Sequence, residues 1–251
     1  MNRSASDAPF VPLFAKIAVI VAALLAAKVA VHLIGLDVID LTRLHTAFTT
    51  GVLFTIAIIF SGTLADFKEA ERIPGEMAVA LKSIHTDAPL TSHDPAAVTA
   101  MQAHVAELLK TILANFRQDS WRLREIRAAA DKIDADIRLM AAAGGPPQFL
   151  VKLRVDLATV ERCAHRVESI MQTTFVPMAY IIAEIAVVAL LLNLLFVTMD
   201  PLHEGLAILG ALAFLLISLL LLIRDMDNPF SGYARVDLSL LHKLERYLDE
   251  R

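Results

Sequence analysis

Cysteine, glycine and proline are scarce in this sequence, and their scarcity limits the structures it can adopt. Of 251 residues only Cys163 is a cysteine, so neither an internal disulfide nor a cysteine-based metal cluster can form. Glycine and proline number nine and ten, too few for a chain rich in turns. Because apolar residues recur at spacings of three and four, the sequence predicts an all-α fold.

An excess of positive charge is also missing. The chain has 23 Lys and Arg residues and 27 Asp and Glu residues, so its net charge is −4. We therefore expect no nucleic-acid partner. Phosphate-binding loops, His-Glu-x-x-His motifs and nucleophile elbows do not occur in the sequence. His85, His93 and His104 straddle a loop with two prolines, a spacing that disfavours metal ligation. We therefore expect no enzyme activity, no cofactor and no metal.

Apolar residues, by contrast, make up 57% of the chain, and a mean hydropathy of +0.60 is rare in a soluble domain. Four apolar segments are long enough to cross a bilayer as helices, at 11–36, 44–64, 175–198 and 205–223. The residues before the first segment carry one basic side chain, Arg3, and one acidic side chain, Asp7. They therefore lack the positive excess of a signal peptide, which favours an uncleaved helix. The sequence therefore predicts a polytopic membrane protein with four transmembrane helices.

A long amphipathic region separates the second and third apolar segments. Its apolar residues form helical stripes in 98–112, 123–140 and 150–171. The sequence from Gly144 to Pro147 breaks the pattern, and we expect it to join the last two stripes as an antiparallel, coiled-coil-like hairpin. A continuous helix over 147–198 would then lead from this region into the membrane. The predicted divisions are a transmembrane hairpin (1–64), a helical domain (65–174), a second transmembrane hairpin (175–223) and a tail (224–251).

Several boundaries follow from prolines and capping residues. The second transmembrane helix is predicted to leave the membrane and end at Pro74, before a separate short helix at 77–84. Ser92 or Asp94 is expected to cap the helix that follows. Asp119 or Ser120 is the expected cap of the next one. In the tail, apolar residues from Val236 to Leu248 predict a final helix docked on the helical domain.

The charge pattern indicates the topology. The two short loops between paired spans carry Asp37, Asp40, Asp200 and Glu204 against Arg43, whereas nearly all other Lys and Arg residues outside the spans lie on the opposite side. The positive-inside rule then places both termini and the helical domain in the cytoplasm. We expect a multi-pass protein of the bacterial inner membrane, with membrane lipid as a partner.

Three polar residues interrupt the predicted spans. Glu184 lies about ten residues into the third span, near the predicted midplane, where an unpaired carboxylate costs roughly 3 kcal/mol or more. It is either part of a proton or ion pathway or a helix–helix hydrogen-bonding group that bonds a threonine of the second span. Lys28 is a possible ion-pair partner for it, and Asn193 is the remaining strongly polar residue of the third span.

The second span is rich in threonine and contains two glycines, Gly51 and Gly62. Threonine hydroxyls can bond back to the helix, and glycines let helices approach one another closely. We therefore expect this helix to lie inside a bundle rather than face lipid.

The order of these parts, together with Asn228, Pro229, Phe230 and Gly232 after the last span, resembles the bestrophins and most closely the short bacterial bestrophin-like proteins. Bestrophins carry Asn-Pro-Phe-Gly here, whereas Ser231 precedes the glycine in this chain. The resemblance implies a pentamer around a pore that conducts ions, often anions. Bestrophins that are gated by calcium follow the motif with acidic residues, but here Tyr233-Ala-Arg-Val-Asp follows, so no calcium binding is expected.

In bestrophins, bulky apolar residues at four-residue spacing on the second span form the neck of the pore. The residues of this chain that fit the pattern are Leu44, Phe48 and Val52, or in another register Phe54 and Ile58. The leading hypothesis is a bestrophin-like oligomeric channel with a pore lined by this helix. The alternative is a non-conducting membrane scaffold that recruits an unknown protein partner through its helical domain.

Overall fold

The computed structural model describes residues 10–40, 42–118, 120–172, 177–231 and 234–250. The described residues form α-helices and one short 3-10 turn, with no strand among them, which confirms the all-α prediction. The α-helices are α1 (Phe10–Leu33), α2 (Arg43–Asp87), α3 (Pro95–Arg117), α4 (Leu123–Ala142), α5 (Pro147–Gln172), α6 (Pro177–Leu195), α7 (Leu202–Met226) and α8 (Ser239–Asp249).

The chain divides into two compact units. The membrane unit comprises Met1–Asp66, Phe175–Asp227 and Gly232–Ala234, and the extramembrane unit comprises Phe67–Thr174, Asn228–Ser231 and Arg235–Arg251. Helices long and apolar enough to cross a bilayer are α1, α2, α6 and α7, as the four apolar segments predicted. The expected continuity between α5 and α6 falls on residues 173–176, outside the described residues.

The prediction that the second transmembrane helix ends at Pro74 is wrong, because α2 runs unbroken from Arg43 to Asp87. A proline inside a helix costs about 3 kcal/mol. On either side of Pro74, Ile73, Met77 and Leu81 are at most 4% exposed, and burying each such side chain contributes about 1.5–3 kcal/mol. Burial of one continuous stripe therefore outweighs the proline.

In the membrane unit, one apolar cluster joins residues of α2, α6 and α7, including Ile56, Val187 and Leu216. The short loops between paired spans, described over 34–40 and 196–201, form one end of this unit, which we call the short-loop end. At this end α6 stops at Leu195, and the chain continues without helix to Leu202. This non-helical segment lies directly against α7, since a Cβ built on Gly205 would come within 2.5 Å of the Met199 Cβ. A glycine is therefore required there.

The extramembrane unit confirms the three predicted stripes. One buried cluster contains Val105, Ile133 and Val160 from α3, α4 and α5, each of them 0% exposed. Gly144, with φ of +83°, makes the predicted turn between α4 and α5. The expected final helix is α8, which packs on α3 through the buried Leu241.

The caps follow the sequence in part. Asp94 accepts a hydrogen bond from Ala96 N at 2.9 Å and caps α3 as predicted. Of the two predicted caps of α4, Asp119 lies outside the described residues. The alternative, Ser120, is wrong, because α4 begins at Leu123 without a side-chain cap. Asn115 Oδ1 instead accepts a hydrogen bond from the Arg122 amide at 2.6 Å, so the preceding helix satisfies this amide.

Candidate functional site

Helix α2 has two distinct faces along its membrane segment. On one face Val52, Ile56 and Ile59 are at most 6% exposed and belong to the apolar cluster of the membrane unit. On the other face Phe54 is 67% exposed and Ile58 is 57% exposed. An α-helix advances 100° per residue, so residues four and seven positions from Val52 stay on the buried side while Phe54 and Ile58 point away from it.

The structure separates the predicted pore-lining residues accordingly. Leu44, Phe48, Phe54 and Ile58 all lie on the exposed side of α2. Val52 was predicted together with Leu44 and Phe48, but it is 3% exposed and packs inside the protomer. The eight-residue step from Leu44 to Val52 turns the helix through about 80° and carries Val52 toward the buried face. Within one protomer Val52 therefore does not belong to the exposed face of α2.

The threonines of α2 bond back to the helix as the sequence suggested, whereas Gly51 differs from the expectation. Thr49, Thr50 and Thr55 each donate to the carbonyl four residues earlier at 2.8–2.9 Å, so their hydroxyl groups need neither water nor another helix. A Cβ built on Gly51 would have nothing within 4 Å among the described residues. The expectation that Gly51 allows close helix packing is therefore wrong within one protomer.

Lys28 lies at the short-loop end and does not pair with Glu184. Its side chain is 0% exposed, and Nζ donates to Val197 O at 2.6 Å and to Leu195 O at 3.1 Å. These carbonyls end α6, where the helix dipole attracts a cation. Asp37 Oδ2 lies 3.8 Å from Nζ. A buried ammonium thus satisfies a helix end inside the membrane unit, which sequence reasoning did not find.

Asp37 and its neighbours hold the two short loops together. Thr198 N donates to Ile39 O at 2.7 Å, and Ile39 N donates to Phe196 O at 3.1 Å, which makes a single parallel bridge. Asp37 Oδ2 lies 2.6 Å from His32 Nδ1, and this hydrogen bond holds the pKa of the Asp37 carboxyl below its usual range. The short loops therefore form one polar clasp rather than two independent turns.

Glu184 forms an ion pair with Arg224, near the end of α7. Glu184 Oε1 forms an ion pair with Arg224 Nη2; the Glu184 side chain is 35% exposed and the Arg224 side chain 60% exposed. Arg224 is 22 residues beyond the first residue of α7, about 33 Å along that helix. Arg224 therefore lies at the end of α7 opposite the short loops, and its side chain reaches Glu184 on α6. Placing Arg224 in the tail concealed this partner.

Two further polar groups of the membrane unit lie beside α6. Asn193 Oδ1 is buried and has no hydrogen-bond partner among the described residues. Tyr180 OH donates to Asp227 Oδ1 at 2.9 Å and lies 3.4 Å from Thr63 Oγ1. This small network joins α2, α6 and the end of α7. An aromatic hydroxyl near the end of a span could have indicated it in the sequence.

The described part of the tail motif is a turn in the extramembrane unit. Ser231 N donates to Asn228 O at 3.0 Å, and Val236 N donates to Pro229 O at 2.8 Å. The ring of Phe230 lies 5.4 Å from that of Phe116. Asn228, Pro229 and Phe230 thus anchor the segment before α8, whereas Gly232 lies outside the described residues.

Comparison with solved structures identifies the fold. Two variants of a bacterial bestrophin homolog from Klebsiella pneumoniae, each 12% identical to this chain, superpose with TM-scores of 0.79 and 0.80 and cover 94% of it. The matches cover 98% and 97% of those two chains. A third variant, 16% identical, has a TM-score of 0.74 and covers 95% of this chain and 98% of its own. No protein-family model and no curated protein matches the sequence. The predicted likeness to the bestrophins is therefore confirmed as a shared fold.

Proposed function

We propose that this chain, which has the bestrophin fold, assembles into an oligomeric channel and conducts ions passively through a pore lined by α2. The observation that carries the proposal is the exposed face of α2. Leu44, Gly51 and Ile58 are seven residues apart and lie on one line of the helix, next to Phe48 and Phe54. Copies of this helix around an axis would give a narrow pore with an apolar wall.

The properties of that face suggest how permeation is controlled. Phe54 and Ile58 are exposed by 67% and 57%, so several copies would converge into a hydrophobic constriction. Such constrictions gate by dewetting, since an ion must lose water where no polar group replaces it. The threonine hydroxyls are satisfied within the helix and so do not oppose an apolar neck.

The assembly and orientation are part of the same proposal. By its resemblance to the bestrophins the chain forms a homo-pentamer in the bacterial inner membrane, with anions as the expected ions. Nearly all Lys and Arg residues outside the spans lie on the side of the termini, which supports short loops outside and both termini in the cytoplasm. A reporter active only in the periplasm and fused after Arg251 should remain silent, and activity would contradict this orientation.

The test uses the full-length protein in two measurements. Single-particle images in nanodiscs are expected to show a ring with an open axis. Liposomes that contain the purified protein are expected to release chloride faster than empty liposomes. A particle without an axis, or a ring that leaves the chloride flux at the empty-liposome level, would contradict the channel.

The alternative of a non-conducting scaffold is supported by a different observation. In the extramembrane unit Val79, Val151 and Val155 are 70%, 63% and 60% exposed. Val151 and Val155 are one turn apart on α5, so they form an apolar strip of the kind that protein partners cover. Normal flux in a variant with both valines replaced by serine would favour the channel.

A further inference from the structure

At the short-loop end of the membrane unit, a groove runs along the first turns of α7. It has a volume of about 350 Å³ and lies between α7 and the segment that connects it to α6. The groove exists because residues 196–201 are not helical, and an extended chain is thinner than the helix it continues. Part of the flank of α7 is therefore left uncovered.

One face of α7 supplies the wall of this groove. Glu204, Ile208 and Leu212 follow one another at four-residue spacing, and all three line it. The distance from Glu204 to Leu212 is about 12 Å along the helix, close to the depth of hydrocarbon in one leaflet of a bilayer. Leu194 at the end of α6 also contributes to the wall. The groove thus has the length and the apolar lining that suit one acyl chain.

The mouth of the groove carries charge of one sign. Among its described lining residues the ionisable ones are Asp200 and Glu204, both acidic, with no Lys, Arg or His beside them. The Thr198 hydroxyl at the same end bonds to the carbonyls of Asp37 and Ile39. The mouth therefore attracts an ammonium group and repels a head group of net negative charge.

We propose that this groove binds a phospholipid whose head group carries a primary ammonium, with the ammonium at Asp200 and Glu204 and one acyl chain along Ile208 and Leu212. A lipid fits better than a water-soluble amine because the wall belongs to a helix that crosses the bilayer. The proposal requires only that the chain is embedded in a bilayer, so it stands apart from ion conduction.

The test titrates the delipidated full-length protein with palmitoyl-oleoyl phosphatidylethanolamine or with phosphatidylglycerol of the same chains. Native mass spectrometry then counts the bound lipid. We expect phosphatidylethanolamine to bind roughly fivefold more tightly, the ratio that corresponds to about one charge near a membrane surface. Equal affinities in the unmodified protein would overturn the proposal without reference to any variant.

Charge variants test whether Asp200 and Glu204 cause the preference for phosphatidylethanolamine. Combining Asp200→Asn with Glu204→Gln should bring the affinity ratio close to one. Asp40→Asn is the matched control, because Asp40 lies in the other short loop and does not line the groove. A ratio that survives the double substitution, or that falls equally in the control, would contradict the assigned position of the head group.

A steric variant tests the position of the acyl chain. Ile208 is 70% exposed, so Ile208→Trp should fold normally while filling the groove and lowering the affinity for both lipids. Ile185→Trp, at an exposed position on α6, should lower neither. Unchanged binding in Ile208→Trp would overturn the proposal. Disulfide-linked dimers of Ile208→Cys would also overturn it, since a second copy of the chain would then occupy the groove.

Discussion

The two units hide their apolar side chains from different solvents, and their helices differ accordingly. In the extramembrane unit, α4 buries Ile126, Ile133 and Ile137 and keeps charged residues on its other sides. In the membrane unit, α7 buries Leu209 and Leu216 while Leu215 between them is 50% exposed. Exposing a leucine side chain to water is energetically unfavourable, whereas exposing it to lipid is not. An apolar stripe therefore marks the packed face of a helix in the first unit only.

The sharpest test of the extramembrane core is Val160→Asp. Val160 is 0% exposed, so the substitution buries an unpaired carboxylate and should lower the free energy of unfolding by about 3–5 kcal/mol. The emission of Trp121, the single tryptophan, reports unfolding of this unit because its ring lies 4.7 Å from that of Phe116.

Val155→Asp is the matched control on the same helix, since Val155 is 60% exposed. It should change stability by less than about 0.5 kcal/mol. Equal losses in the two variants would contradict the assignment of the buried face of α5.

A pH titration tests the same core through Cys163. Burial raises the pKa of the Cys163 thiol from 9.0 to about 11, with Glu76 at 3.8 Å adding to the effect. Because the folded chain disfavours the thiolate, this contribution to stability is complete below pH 9 and is lost as the pH rises to 11. The loss should reach about 2–3 kcal/mol. Cys163→Ala should lack this component, and parallel pH curves for the two proteins would contradict it.

Lys28→Met tests the polar clasp of the membrane unit. The substitution leaves the carbonyls of Leu195 and Val197 without their donor, which should cost about 2 kcal/mol. The measurement is the fraction of protein that stays monodisperse on a sizing column after heating in detergent. Lys16→Met, at an exposed position on α1, is the control. No difference between the two would mean that Lys28 does not hold the short loops.

Glu184→Gln should have the smallest effect. Because Arg224 is 60% exposed, the ion pair is worth about 0.5–1 kcal/mol, and the Gln side chain keeps its shape and hydrogen-bonding capacity. A double-mutant cycle with Arg224→Gln should give a coupling energy of that size. A coupling energy near zero would contradict the pair, and a changed pH dependence of transport would give Glu184 a role in permeation.

The difference between the units also explains what could be predicted from the sequence. The α4–α5 hairpin follows from apolar spacing and Gly144, because water forces the stripe inward. The prediction of a helix end at Pro74 was wrong because the sequence alone did not show that the neighbours of Pro74 are buried. The stabilisation from that burial exceeds the cost of a proline inside the helix. Within the membrane, uniform apolarity hid the partners of Lys28 and Glu184, which come from distant helices. The same uniformity left Val52 and Ile58 indistinguishable, although they lie on opposite faces of α2.

Ion flux through variants of α2 tests the central claim most directly. Phe54→Ala and Ile58→Ala remove bulk from the exposed face and should widen the constriction, so chloride release from liposomes should rise several-fold at equal protein content. Val52→Ala, on the buried face of the same helix, and Ile185→Ala, exposed on α6, should leave the flux unchanged. If Phe54→Ala and Ile58→Ala give the same flux as Val52→Ala, the exposed face of α2 does not line a pore.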